Sequence, residues 1–181
     1  MANSLFKPFN MEDGIFLNNY VLHKSSFKDF WKWRKESNKP QPISFPVVKN
    51  NPSYLKSNKS EKTITWVGHS TFLIQIDGIN ILTDPHFSKR ASPLSFMGPS
   101  RTTPPGLNMD DLPFIDLVLI SHNHYDHLDA QTIKLLLKKQ NINQPTFFVP
   151  LKLKETISKL GASNVIEHEW WQMSKYKNLE I

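Results

Sequence analysis

An apolar segment followed at once by a cluster of histidines constrains this chain more than any other feature. Residues Ile115 to Ile120 are apolar except for Asp116, and they lead into His122-Asn123-His124-Tyr125-Asp126-His127. A short apolar run of this kind predicts a buried strand, and the periodic pattern that starts at Ala130 predicts a helix. Polar side chains that follow the carboxyl end of a buried strand lie where α/β sheets build their functional sites.

The composition of the cluster favours a metal site. It holds three histidines and one aspartate in six residues, and the whole chain has seven histidines. Imidazole and carboxylate are ligands that borderline divalent metals such as zinc prefer. His122 and His124 are two residues apart, so in extended backbone they point to the same side and can share one ion. Asp126 and His127 lie beyond the turn and can face a second ion nearby. The alternative is a polar loop whose histidines occur by chance, and we favour metal binding.

Other segments, in order along the chain, narrow this interpretation. They are Thr65-Trp66-Val67-Gly68-His69-Ser70-Thr71, Leu82-Thr83-Asp84-Pro85, Arg90-Ala91-Ser92-Pro93, Met97-Gly98-Pro99, and Val165-Ile166-Glu167 with Trp170-Trp171. Together with the histidine motif they resemble the metallo-β-lactamase superfamily. Within it they resemble the phospholipases D that hydrolyse N-acyl-phosphatidylethanolamine, and their bacterial relatives. The resemblance covers roughly residues 60 to 172.

The resemblance implies an α/β (α+β) fold, the N-terminal half of an αββα sandwich with a mixed sheet. The residue patterns add the individual elements, and Asp77-Gly78 between two apolar runs is typical of a tight hairpin turn. The predicted strands are Thr63–Gly68, Thr71–Ile76, Ile79–Thr83, Ile115–Ser121, Thr146–Val149 and Val165–Glu167. The predicted helices are Ala130–Lys139, capped by Asp129 with Ile133, Leu136, Leu137 and Gln140 inward, and Leu151–Leu160, ended by Gly161.

The resemblance also implies roles for the motif residues, with two Zn2+ ions per complete family domain. His122 and His124 would bind one ion, and Asp126 with His127 the other. Asp126 would in addition position a metal-bound hydroxide. Asp84, in Thr83-Asp84-Pro85, would lie near the metals and orient a ligand, the alternative being a turn-capping aspartate. Tyr125 would contact a lipid substrate, and a packing aromatic is the equal alternative.

Four further histidines lie outside the motif, namely His23, His69, His86 and His168. His69 either lies near the site or caps a turn, and we favour the turn. His86 is expected at the surface, and His168 is not expected to bind metal. The long loop of residues 86–113 carries Lys89, Arg90 and Arg101. These can meet a phosphate, since arginine pairs fork-wise with phosphate oxygens, or can be solvated loop charges.

Residues 1–60 are predicted to be an extension that precedes a metallo-β-lactamase-like domain at 61–181. The extension contains one predicted helix, around Ser26 to Glu36, with basic and aromatic residues. This helix either lies on a membrane surface or packs its aromatic residues on the domain, and we favour packing.

Composition bounds the remaining possibilities. No apolar run approaches 18 residues, so no membrane span is expected, and Met1 to Asn10 show no secretory signal. The chain has no cysteine, which excludes disulfides and thiolate metal sites and fits a cytoplasmic protein. A net charge of +6 favours anionic partners such as phospholipid head groups, with contact at the membrane periphery. The charge equally suits nucleic acid, but it is dispersed rather than clustered and so points only weakly to any anionic partner. Nucleic acid is not expected as a partner.

The superfamily supplies further ligands downstream, namely a third histidine, a bridging aspartate and a final histidine. The sequence ends at Ile181 without them, so the domain is expected to be incomplete at its C-terminus. Half a sandwich would expose an apolar sheet face and a strand edge, which a partner chain or a second copy would cover.

The function that the resemblance implies is zinc-dependent hydrolysis of a phosphodiester in an N-acylated phospholipid, with a metal-bound hydroxide as the nucleophile. One alternative is a truncated, inactive fragment that binds at most one metal ion. Another is a superfamily hydrolase that acts on lactones or cyclic phosphodiesters. Whether this chain is an enzyme by itself stays open at the level of its sequence.

Overall fold

A computed structural model of the chain describes residues 10–12, 14–17, 26–37, 43, 46 and 48–181. The chain divides into two compact units, Ser44–His168 and, together, Met1–Ile43 with Glu169–Ile181. The elements in chain order are β1 (Asn10–Glu12), β2 (Ile15–Leu17), α1 (Phe27–Glu36), α2 (Pro52–Ser57), β3 (Thr63–Gly68), β4 (Thr71–Ile76), β5 (Ile79–Thr83), a 3-10 turn (Met109–Asp111), β6 (Leu117–Leu119), α3 (Ala130–Lys139), β7 (Thr146–Pro150), α4 (Lys154–Lys159), β8 (Val165–His168), β9 (Lys175–Tyr176) and β10 (Leu179–Glu180).

The larger unit is built on a six-stranded mixed sheet, as the sequence predicts. The strand order is β3-β4-β5-β6-β7-β8, with β3, β4 and β5 antiparallel and β5 to β8 parallel. Asp77 and Gly78 join β4 to β5, and both have positive φ, at 50° and 74°. This conformation suits the two-residue turns that match strand twist, which confirms the predicted hairpin.

One face of the sheet and helices α2, α3 and α4 form the core. Leu73, Leu82, Val118 and Phe147 point from four neighbouring strands to this face and are all fully buried. Helix α3 packs its predicted inner face against them: Ile133, Leu136 and Leu137 are buried, as is Gln140 just after the helix. Each large apolar side chain buried in this way contributes roughly 1.5–3 kcal/mol. This packing fixes the end of β6, from which the histidine motif begins.

The opposite face of the sheet is also apolar but less well covered. At its β3 edge Ile64 and Trp66 are 72% and 52% exposed. Trp66 pairs with Phe72, and Ile64 pairs with Ile74, so the four side chains line one face of the β3–β4 ladder. This face therefore offers apolar surface beside the turn that carries His69.

Two predicted elements of the larger unit are too long. The strand predicted at Ile115–Ser121 is confined to Leu117–Leu119, because the Gln140 side chain binds both the N–H and the C=O of Ile115. The helix predicted at Leu151–Leu160 begins only at Lys154, because Lys152 has a positive φ of 70°. A left-handed residue interrupts an α-helix, so the segment before it is a turn.

Helix α2 is absent from the sequence-based prediction, which placed only one helix in residues 1–60. Pro52 stands in the first turn of this helix, where the missing N–H is not needed, and the Asn51 side chain caps the N–H of Tyr54. Leu55 is 4% exposed and belongs to the core of the larger unit. Residues assigned to the extension thus contribute to the core.

The smaller unit contains two short antiparallel hairpins, β1–β2 and β9–β10, and helix α1. Ser26 and Asp29 form the capping box that starts α1, so the predicted helix is confirmed. None of its ten residues is buried, and the rings of Phe27, Phe30 and Trp31 lie 6.0–6.2 Å apart. Packing of this helix on the domain stays a prediction.

The described helices are all too short or too polar to cross a lipid bilayer. The prediction about a secretory signal concerns Met1 to Asn10, of which only Asn10 lies within the described residues.

Candidate metal centre

The loop after β6 folds back on itself and brings three imidazoles together. The carbonyl of His124 accepts hydrogen bonds from the backbone N–H groups of His127 and Leu128, which closes a tight turn. The ring of His122 lies 4.6 Å from that of His124 and 4.0 Å from that of His127, measured between centroids. The structure therefore gathers all three predicted histidines on one side of the loop.

The end of the loop is fixed by the start of α3. Asp129, which is 7% exposed, accepts hydrogen bonds from the N–H groups of Gln131 and Thr132 and from the Thr132 hydroxyl. It also accepts one from the N–H of Ser88. Burial raises the pKa of Asp129, but these hydrogen bonds outweigh it and leave the pKa below its ordinary value. Asp129 thus joins the motif loop to the segment that follows β5.

Asp84 fixes the motif loop through hydrogen bonds to its buried carboxylate. It has a positive φ of 35° and is 6% exposed. Its carboxylate accepts hydrogen bonds from the N–H of Ser121 at 2.7 Å, from the Ser121 hydroxyl at 2.7 Å and from Nδ1 of His127 at 2.8 Å. An uncommon backbone conformation that places a carboxylate under a histidine is typical of functional sites. Asp84 therefore fixes both Ser121 and the ring of His127.

These contacts show which nitrogen of each imidazole carries the proton. A carboxylate can only accept, so His127 donates from Nδ1 and its Nε2 carries the lone pair. The Ser121 hydroxyl gives its one proton to Asp84, so it accepts from Nδ1 of His122, at 2.9 Å. His122 then also has its lone pair on Nε2, which lies 3.0 Å from Nδ1 of His124. Both imidazoles are thereby set to offer Nε2 as a ligand, with the other nitrogen fixed by an oxygen.

His69 reaches the motif from the turn between β3 and β4. It has a positive φ of 51°, and its carbonyl accepts a hydrogen bond of 2.9 Å from the indole N–H of Trp66. Its Nε2 lies 2.9 Å from Oδ2 of Asp126, and its ring centroid lies 5.0 Å from that of His127. Of the two sequence-based alternatives for His69, turn cap or neighbour of the site, the structure gives the second.

His69, Asp126 and His127 form a donor set that fits a metal ion. Their ligand atoms all lie within 4.8 Å of one another, and two imidazoles with one carboxylate suit zinc and other borderline divalent ions. Burial raises the pKa of Asp126, but its own backbone N–H and the imidazoles of His127 and His69 outweigh it and lower the pKa. Burial, with His127 and His124 nearby, lowers the pKa of His122. Both shifts favour the unprotonated forms that bind metal.

The donor set opens into a cavity of about 900 Å³ in the larger unit. His69, His124 and Asp126 line one part of it, and Tyr125, at 54% exposure, stands at the same part. The rest of the lining is mainly apolar, and it includes Pro46, Val48, Ile64, Trp66, Val67, Ala91, Pro99 and Pro104. A ligand in this cavity can place a polar group at the histidines and an apolar group against the face of β3.

The long loop of residues 86–113 forms another wall of the cavity and has a defined shape. Backbone hydrogen bonds join Arg101 to Lys89 and Ala91 to Pro99, and Gly106 donates to the carbonyl of Val67. A side chain at Gly106 would come 2.9 Å from the Trp66 carbonyl, so only glycine allows this approach to β3.

The sequence-based placement of His86 at the surface is wrong. Its side chain lies behind this loop, and the residue is 5% exposed. The Thr71 hydroxyl fixes its backbone, and Arg101 fixes its ring. His168, at the end of β8, packs its ring against Phe148 at 5.1 Å between centroids.

Comparison with known proteins gives a consistent result. The model of the β-lactamase superfamily domain matches residues 63–180. An uncharacterised protein of Mycobacterium tuberculosis is 32% identical over 180 residues, which are 95% of this chain and 47% of that protein. An N-acyl-phosphatidylethanolamine-hydrolysing phospholipase D of Caenorhabditis elegans is 42% identical over 118 residues, 62% of this chain and 32% of that enzyme.

Among solved structures, a "possible metal-dependent hydrolase" from Veillonella parvula has a TM-score of 0.53 at 21% identity, over 67% of this chain and 47% of that one. This likeness concerns the fold. The chain spans about half the length of the mycobacterial relative, 47%, and less of the nematode one, 32%.

Proposed function

This chain belongs to the metallo-β-lactamase superfamily, and on that premise we propose that it takes part in the metal-dependent hydrolysis of a phosphodiester in an N-acylated phospholipid. The superfamily covers several substrates, so the choice among them depends on the surroundings of the metal centre. The nematode relative, named for hydrolysis of N-acyl-phosphatidylethanolamine, is 42% identical over 118 residues of this chain.

One observation carries the proposal: the histidine and carboxylate donors open directly into a large, mainly apolar cavity. A lipid phosphodiester has a charged centre between a polar head and long apolar chains. The arrangement of His69, His124 and Asp126 beside Ile64 and Trp66 suits such a molecule, since apolar chains gain by leaving water.

The residues proposed to hold metal are His122, His124, Asp126 and His127, with His69 as a further donor, and zinc is the proposed ion. A bound zinc ion supplies Lewis acidity and lowers the pKa of coordinated water. The protein's contribution is to fix the ligands. Asp84 and Ser121 bind the Nδ1–H groups of His127 and His122, so that both imidazoles have their lone pair on Nε2.

Tyr125 is proposed as a substrate contact, because its exposed side chain lines the cavity beside His124. The phospholipid would reach the cavity from a bilayer surface, and the net charge of +6 favours that approach.

The test is an assay of the purified, zinc-loaded chain with N-acyl-phosphatidylethanolamine in mixed micelles. We expect release of N-acylethanolamine and phosphatidic acid, measured by mass spectrometry, and its loss in Asp126→Ala. A lactone and a cyclic nucleotide serve as competing substrates. Turnover of either in place of the phospholipid would contradict the proposed substrate, and turnover unchanged in Asp126→Ala would contradict the site.

A further inference from the structure

Arg101 is a partly buried cation that the metal centre does not use. Its Nη2 donates hydrogen bonds to Nδ1 of His86, at 2.7 Å, and to the His86 carbonyl. Among the described residues no carboxylate lies within ion-pair distance of the guanidinium, and burial lowers the pKa of Arg101. The nearest acid, Asp129, is already engaged by Ser88 and Thr132. A guanidinium removed from water without a counter-ion is costly.

His86 positions this guanidinium and leaves unused donors. An arginine can only donate, so Nδ1 of His86 accepts and Nε2 carries the ring proton. That Nε2 and Nε of Arg101 are both buried, and neither finds a partner among the described residues. Buried donors are nearly always paired in folded proteins, so two unpaired donors side by side indicate a missing acceptor.

The backbone leaves room for the guanidinium at this place. Gly68, at the end of β3, has a φ of 145°, and a side chain built there would come 2.8 Å from Nη1 of Arg101. The guanidinium therefore lies against the same turn that carries His69. Arg101, His86, His69 and Asp126 all line the one cavity. Its lining thus combines a metal-ligand set with a fixed cation whose remaining N–H groups have no acceptor in the part of the chain that the structure describes.

We propose that Arg101, positioned by His86, is a substrate-binding residue that pairs with a non-bridging oxygen of a phosphodiester head group. This rests on the proposed function in so far as the substrate is a phosphodiester. Nη2 is engaged by His86, so Nη1 is left to donate to one phosphate oxygen, and the charge of the guanidinium strengthens that hydrogen bond. The subsite would hold the head group while the metal centre faces the bond to be cleaved.

The subsite can be tested without metal, which separates it from catalysis. The chain is freed of metal on a chelating resin and titrated with glycerophosphoethanolamine, a phosphodiester without acyl chains. Binding is followed by calorimetry and by the NMR signal of the Arg101 Nε–H group. We expect that signal to shift on titration, and Arg101→Met to weaken binding by about tenfold to a hundredfold, the usual worth of hydrogen bonds to a charged group.

Matched variants separate the effect of the position of Arg101 on affinity from the effect of its charge. Lys89→Met removes an exposed cation from the same loop and should leave affinity within about twofold, because exposed charges are screened. Arg101→Lys keeps the charge but lacks the planar guanidinium that binds His86 and a phosphate oxygen at once, so it should bind more weakly than wild type. His86→Gln keeps an acceptor for Arg101 and should retain binding, whereas His86→Phe should lose it.

The outcomes are distinct. Arg101-dependent binding of the phosphodiester supports the subsite even if the zinc-loaded chain hydrolyses no lipid, in which case the proposed function alone fails. Equal affinity of wild type and Arg101→Met, or an Arg101 signal that does not move up to the solubility of the probe, overturns the subsite and leaves the metal centre untouched. Arg101-dependent binding of inorganic phosphate, but not of the phosphodiester, would assign the site to free phosphate and overturn head-group recognition.

Discussion

The loop after β6 and the segment after β5 meet at the candidate metal centre, and they use their carboxylates in opposite ways. The loop after β6 presents Asp126, whose side chain is 39% exposed and which has a pKa below its ordinary value. The segment after β5 contributes Asp84, whose side chain is 8% exposed and accepts three hydrogen bonds. One loop keeps its donors available for a ligand. The other uses its carboxylate for hydrogen bonds within the protein, and this arrangement holds the first loop in shape.

The largest effect should follow removal of an available donor. Asp126→Ala should lower the affinity of the chain for Zn2+ by more than about 100-fold, since even residues that only support a ligand are worth about 10–100-fold. Calorimetric titration of the metal-free chain measures it. Asp110→Ala, a change at a side chain that is 97% exposed, is the control and should bind as wild type does. Wild-type affinity in Asp126→Ala would remove this loop from the metal centre.

Replacement of the holding carboxylate should have a smaller effect on metal but a clear effect on folding. Asp84→Asn keeps the size of the side chain and tolerates the positive φ, but its amide has one oxygen for three donors. We expect Zn2+ affinity to fall by about 10–100-fold and the free energy of unfolding of the metal-free chain by about 1–3 kcal/mol. Urea denaturation measures the latter. If stability is unchanged, Asp84 does not hold the loop.

The hydroxyl between the two loops should matter less. Ser121→Ala removes a donor to Asp84 and an acceptor for His122, and each group keeps at least one other contact. Unfolding free energy should drop by about 0.5–1.5 kcal/mol. Ser121→Thr retains the hydroxyl and should behave as wild type in the same urea titration. A loss as large as that of Asp84→Asn would mean that Ser121, and not the carboxylate, organises the loop.

The smallest effect should be a pH dependence of the free energy of unfolding that comes from His86, in the segment after β5. Burial lowers the pKa of His86 from its ordinary value of 6.5. The unfolded chain therefore takes up a proton near pH 6.5 that the folded chain refuses, and stability falls as the pH decreases below that value. The lowered pKa of His122 adds to this loss of stability in the same direction. The lowered pKa values of Asp126 and Asp129 affect stability only below about pH 3.8.

Urea denaturation of the metal-free chain between about pH 7.5 and about pH 5.5 should show this decline, shallower in His86→Gln. The glutamine does not titrate and still accepts from Arg101, so the comparison isolates the proton uptake of His86. A variant with the wild-type slope would show that His86 does not contribute to the decline.

The contrast between the loops also explains what the sequence could reveal. The mixed sheet, the Asp77-Gly78 turn and the cap of α3 follow from short-range patterns, and each is present. The ligand loop is recognisable because its residues are adjacent in sequence. The contact of His69 with Asp126 cannot be recognised in this way, because the two residues are 57 positions apart (126 − 69) and follow different strands, β3 and β6. Nor does any local pattern place His86 under Arg101, since that contact depends on how the long loop returns to β3.

Metal content tests the central claim most directly. The wild-type chain and Asp126→Ala are dialysed against Zn2+, then against metal-free buffer, and their zinc is measured by elemental analysis with the protein concentration. Near-stoichiometric or higher zinc in the wild type, and its loss in the variant, is the result that a metal centre built by the loop after β6 predicts. A wild-type chain that retains no zinc, or a variant that retains as much, would contradict it.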